Sequence, residues 1–157
     1  MTDTQAALHD TFVLERTYPK PPPRVFKAFA DPKQKRRWYA ESESNELIKH
    51  EMDFRVGGAE CIASRLGPNT PRPGFELTAT MAYLDIVPDQ RIVFSQAMTF
   101  GGKRISAALI TMEMLPHDGG TKLICTHQAA FFEGADGPEM RKQGWVSLLD
   151  HMAKEFA

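Results

Sequence analysis

The segment MRKQGWVSLLDHMAKEF, residues 140–156, decides the fold. Met140, Trp145, Leu148, Leu149, Met152 and Phe156 fall on one side of a helix, while Lys142, Gln143, Asp150, Lys154 and Glu155 lie mainly on the other. An amphipathic helix of nearly twenty residues has one apolar stripe to bury. The chain ahead of it must supply a complementary face.

That chain reads as strands. From about Glu51 to Gln128, six segments alternate in polarity: EMDFRV (51–56), AECIASRL (59–66), FELTATMAYLDIV (75–87), RIVFSQAMTF (91–100), KRISAALITMEML (103–115) and TKLICTHQAAF (121–131). Turn signals separate them: Gly57-Gly58, the Gly67–Gly74 loop, Pro88-Asp89, Gly101-Gly102 and Asp118-Gly119-Gly120. Hairpin-length connections predict an antiparallel meander. An earlier strand is expected at TFVLERTY (11–18), and residues 1–10, polar and aperiodic, are expected to fray ahead of one domain over 11–157.

Between the first strand and the meander, PKPPPR (19–24) ends the strand and leads into PRVFKAFA (23–30), with Val25, Phe26 and Phe29 at helical spacing. Asp31 then suits an N-cap and Pro32 a first helical turn. The next stretch, KQKRRWY (33–39), predicts a short helix whose basic residues stay wet while Trp38 and Tyr39 anchor it inward. The expected order is strand, two short helices, six strands, long helix.

Composition excludes several classes of function. Hydrophobic content of 42% and charged content of 25% suit a globular chain, and no apolar run is long enough to span a membrane. The N-terminus lacks a secretory pattern, so a cytoplasmic location is expected. A net charge of −1 gives no general attraction to nucleic acid. Cys61 and Cys125 lack metal-site spacing and are read as buried small hydrophobes. Neither His9, His50, His117, His127 and His151 nor any Gly-rich or G-x-S-x-G segment forms a metal, phosphate or nucleophile motif. No metal and no cofactor are expected.

PPPRVFKAFADPKQKRRWY (21–39), DFRVGGAECIASR (53–65), LDIVPDQRIVFSQ (84–96), ITMEMLPHDGGTKLICTHQ (110–128) and GWVSLLDHM (144–152) together resemble the landmarks of the heat-shock-protein-90 ATPase activator homologue family, in the START-like, SRPBCC superfamily. The resemblance implies an α+β helix-grip fold: a seven-stranded antiparallel sheet curved around the C-terminal helix, with a cavity between them. It also implies that the first strand pairs with the last, which keeps Cys61 and Cys125 apart. The chain departs from the common family pattern at Tyr39, where a second Trp is frequent, and at Gln96, where an aromatic is frequent. Both changes add polarity to the expected pocket.

Candidate ligand-binding residues come from both the helices and the strands. Trp38, Phe54, Met81, Phe94, Met112, Trp145 and Leu149 are wall candidates, with Tyr83, Arg104 and His127 as polar anchors. Period two places His127 with Leu123 and Cys125 on the inward face, where it acts as base or anchor or is a satisfied core histidine. Arg104 either joins the face of Ile110, Met112 and Met114 at the pocket rim or leaves the sheet for water. The methionines either line an adaptable cavity or fill the core.

The leading expectation is a binding protein for a small hydrophobic or amphipathic molecule. Its alternatives are a cofactor-free enzyme of the cyclase or hydratase sort using His127 or Tyr83, and a chaperone-activator-like interaction module. The eukaryotic activators carry a second domain for which this chain leaves no room, an expectation that weighs against the module. A homodimer stays open.

Overall fold

The computed structural model describes residues 6–157. Seven antiparallel strands form one sheet in the order β1-β7-β6-β5-β4-β3-β2. They are β1 (Leu8–Tyr18), β2 (Asn45–Met52), β3 (Ala59–Leu66), β4 (Glu76–Val87), β5 (Arg91–Phe100), β6 (Lys103–His117) and β7 (Gly120–Phe131). Between β1 and β2 run α1 (Pro22–Ala30), the short α2 (Pro32–Lys35) and a π-helical turn at Arg36–Ala40. The chain closes with α3 (Pro138–Ala153) and a 3₁₀ turn over Lys154–Phe156. The helix-grip fold is as expected, and no helix among the described residues is long and apolar enough to cross a membrane.

Local chemistry sets the boundaries. Two-residue turns at Gly101-Gly102 and Asp118-Gly119 have positive φ at both positions, the left-handed geometry that matches the twist of a tight hairpin. Pro22 and Pro23 open α1, where a missing amide hydrogen costs nothing, and the Asp31 carboxylate accepts the Lys33 amide at 3.0 Å to cap α2.

Two boundaries differ from the sequence reading. Residues 8–10 do not fray: Leu8, His9 and Asp10 pair with Phe131, Ala130 and Ala129, because β7 is long enough to template them. Residues 1–5 lie outside the described residues. The second strand is NELIKHEM, not EMDFRV; Asp53–Gly58 forms the turn to β3, closed by Gly58 N–H donating to the Arg55 carbonyl.

The inner sheet face is a grid of rows crossing β5, β6 and β7: Met98–Ser106–Phe131, Gln96–Ala108–Ala129, Phe94–Ile110–His127 and Ile92–Met112–Cys125. Leu149 and Met152 of α3 are sealed against this face, and Tyr18 donates a 2.8 Å hydrogen bond to the Leu149 carbonyl, which ties the helix to β1. Cys61 and Cys125 sit on strands at nearly opposite sides of the sheet, and both are free thiols. Cys125 is buried as expected, and burial pushes its thiol up to about 12. Cys61 is only half-buried, because it alternates with Glu60 and Ile62 and so points to the outer face.

Candidate functional site

Most of the expected wall residues are core. Trp38, Met81, Tyr83, Phe94, Met112, His127 and Leu149 are all fully or nearly fully buried, and Phe54 is wedged edge-on between Phe26 and Tyr83. Among the predicted residues, Trp145 alone lines the cavity between α3 and the sheet. Met112 sits in the row Ile92–Met112–Cys125, is fully buried and does not line that cavity. Arg104 is exposed. A β-bulge opposite Met98 and Thr99 inserts Ile105, so that Ile105 and Ser106 both turn inward and the alternation that would carry Arg104 with them is broken.

The cavity has a volume of about 390 Å³ and opens on one side between α3 and the β2–β5 half of the sheet. Its floor is Ile62, Ser64, Leu77, Ala79, Gln96 and Met98. The α3 wall carries Met140, Arg141, Gly144, Trp145 and Leu148, and Tyr39, Ala40 and Asn45 close the near side. Small side chains make the room: Ser64 and Ala79 are short, and a Cβ added at Gly144 would meet nothing within 4 Å. Met140, placed on the buried stripe by its spacing, is 66% exposed at the cavity rim.

The inward position that spacing gave to Met140 belongs to Arg141, one turn before Trp145. Its Nε and Nη2 donate to the two Asp136 carboxylate oxygens at 2.8 Å each, Nη2 also donates to Ser106 Oγ at 2.9 Å, and the guanidinium lies over the Phe131 ring. Nη1 is buried without a partner in the protein, as are Gln96 Oε1 and Asn45 Oδ1. All three residues line the cavity. Gln96 Nε2 donates to Tyr39 Oη at 2.7 Å, so the two positions at which the family resemblance implied a departure are each other's partners. Burial and the Glu60 charge hold the Tyr39 phenol well above its usual range, so it stays protonated.

His127 faces inward as its period predicts, stacked on Phe12 at 4.5 Å and 6.3 Å from the Trp145 ring. Neither ring nitrogen has a partner in the protein. Burial and the nearby Arg141 charge lower it to about 4, so it is a neutral core imidazole at pH 7.

A second polar cluster lies deeper and was missed in the sequence. Lys35, which the basic run suggested was wet, is 2% exposed, with Nζ 2.9 Å from Glu60 Oε1. Tyr83 Oη donates to the same oxygen at 2.6 Å, and His50 Nε2 lies 2.8 Å from Glu60 Oε2. Burial alone would push the Glu60 carboxyl up, but Lys35, His50 and Tyr83 together hold it near 2. Lys35 turns inward because the π-helical turn that follows carries Trp38 and Tyr39 into the core, and its Nζ lies 4.4 Å from the Tyr39 ring centroid. The only sequence signal was the placement of Glu60 and Ile62 on one strand face; an acid at an inward strand position asks for a cation. Among the described residues no three His, Cys, Asp or Glu side chains come together as a metal site.

A curved antiparallel sheet closed by a C-terminal helix, with a cavity between them, defines the helix-grip class of START-like proteins. A family model, Activator of Hsp90 ATPase homolog 1-like protein, matches residues 19–157, and the chain belongs to that family. A solved protein from Rhizobium loti is 42% identical over 96% of this chain and 99% of its own, with a TM-score of 0.84. An uncharacterised protein from Rhizobium leguminosarum is 34% identical over 96% of each chain, with a TM-score of 0.89. An AHSA1-like protein from Aeromonas hydrophila shares the fold at 22% identity and a TM-score of 0.67, covering 93% of this chain and 91% of its own. No curated protein matches the chain.

Proposed function

We propose that this protein binds a small hydrophobic or amphipathic molecule between α3 and the β2–β5 half of the sheet, as a cytoplasmic carrier or sensor and not as an enzyme. The observation that carries the reading is a mainly apolar cavity of about 390 Å³ whose wall holds buried polar atoms, Arg141 Nη1 and Gln96 Oε1, with no partner in the protein. Binding sites for small molecules combine such walls with a few fixed polar groups, and volumes of about 300–1,000 Å³ are typical. Buried polar atoms without partners are costly to maintain, and a ligand that satisfies them recovers that cost. Turnover finds less support, since His127 and Tyr83, the acid–base candidates, lie in the sealed core and do not line the cavity.

The test is binding of an environment-sensitive apolar dye to wild type and to Gly144→Phe. The substitution puts a ring into open space from a helical position, so the denaturant midpoint should move little while dye binding is lost. No dye binding by wild type, or binding that survives Gly144→Phe, would overturn the reading and bring the interaction module forward.

A further inference from the structure

Resting on the binding reading above, the donors, acceptors and charges in the cavity wall specify the head group of the ligand. We infer that the ligand presents an uncharged head that both donates and accepts a hydrogen bond, a phenol or alcohol, and not a carboxylate. The charges at the wall are already matched within the protein. Arg141 is paired through two nitrogens with Asp136, and Glu41 with Arg36 at 3.2 Å. An incoming carboxylate would meet no free cation fixed in the wall and would lose its hydration, a cost that a spent ion pair does not offset.

The unmet atoms are of two kinds. Arg141 Nη1 is a donor and seeks an acceptor; Gln96 Oε1 is an acceptor and seeks a donor, because the Gln96 amide nitrogen is already committed to Tyr39 Oη. Asn45 Oδ1, nearer the mouth, is a second acceptor without a partner. A carboxylate is acceptor-only and cannot satisfy Gln96 or Asn45, whereas a hydroxyl can donate to either of these and can accept from Arg141. The sheet grid puts this polar pair over small side chains: Gln96 shares its row with Ala108 and Ala129, and Arg141 is bonded to Ser106 in the adjoining row. The apolar body of the ligand then lies against Ala79, Met98, Trp145 and Leu148.

The experiment uses four probes of one skeleton at pH 8. 2-Naphthol donates and accepts, 2-methoxynaphthalene only accepts, 2-naphthoate is an anion and naphthalene is apolar. Affinities are read by displacement of the dye from wild type and from Gln96→Leu. 2-Naphthol should bind about tenfold tighter than the methyl ether, consistent with one added buried hydrogen bond, and 2-naphthoate should be the weakest of the four. Gln96→Leu should erase the advantage of 2-naphthol over its ether while leaving naphthalene affinity in place, which shows the apolar wall is intact. Equal or tighter binding of 2-naphthoate, a methyl ether as tight as 2-naphthol, or a 2-naphthol advantage that survives Gln96→Leu would overturn the head-group inference with the binding reading standing. Failure of all four to displace the dye would overturn both.

Discussion

Two polar clusters lie beneath the helices of this fold, and they are built on opposite terms. Around Glu60, each oxygen of the carboxylate has a partner, from Lys35 and Tyr83 on one and His50 on the other, inside an aromatic surround of Phe29, Trp38, Tyr39 and Phe94. Around Arg141, the inner half of the guanidinium is matched by Asp136 and Ser106 while Nη1, Gln96 Oε1 and Asn45 Oδ1 are left over, on residues that line the cavity. A closed, satisfied cluster is a structural device that fixes how α2 docks on β3. An incompletely satisfied cluster beside a cavity is where recognition belongs. Burial alone does not separate them, since Lys35, Glu60, Gln96 and Arg141 are all buried. The count of unmet hydrogen bonds does.

The difference is tested first where the effect is largest. Lys35→Ala leaves the Glu60 carboxylate buried without its cation, and breaking one side of such a pair costs about 3–5 kcal/mol. Denaturant unfolding should show this loss, and the double variant Lys35→Met with Glu60→Gln should recover a large part of it. A Lys35→Ala midpoint equal to that of wild type would erase the contrast between the two clusters. The low Glu60 carboxyl also sets a pH window: its stabilisation is present above about 4.5 and is lost as pH falls toward about 2.

His127 gives the next largest effect, at higher pH. Its folded value of about 4 lies below the ordinary 6.5, so the unfolded chain binds the proton more readily. Stability is therefore full above about 6.5 and falls as pH drops from 6.5 toward 4, by roughly 2–3 kcal/mol. Melts across that range should show the slope in wild type and lose it in His127→Phe, which keeps the stack on Phe12. A slope that persists in His127→Phe would assign it to another group and reopen a proton-carrying role for this histidine.

The smallest effect sharpens the comparison from the cavity side. Gly144 lies mid-helix without positive φ and with free space at its Cβ, so Gly144→Ala should stabilise by about 0.5–1 kcal/mol, the helix-propensity difference. Thermal melts with and without a bound probe measure it. Destabilisation would mean that the space over Gly144 is not open.

Much of the fold was legible because its signals are local. The alternation in β4 to β7, the turn glycines, the Asp31 cap and the stripe through Trp145, Leu149 and Met152 each depend on residues within a few positions of one another. The family motifs added the pairing of β1 with β7, which no local pattern carries. The candidate site was much less legible. Period two correctly turned His127 and Met112 inward, but inward on a curved sheet means core at one end and cavity at the other, and the pattern is the same for both. Arg104 was misplaced because one inserted residue, Ile105, reverses every side chain beyond it. By itself the sequence determined the element order and the antiparallel meander. Only the tertiary structure decided that Arg141 and not Arg104 is the basic group at the cavity, that Lys35 leaves its basic run to meet Glu60, and which buried polar atoms go unmet, because hydrogen-bond satisfaction depends on residues far apart in the chain that only folding brings within 3 Å.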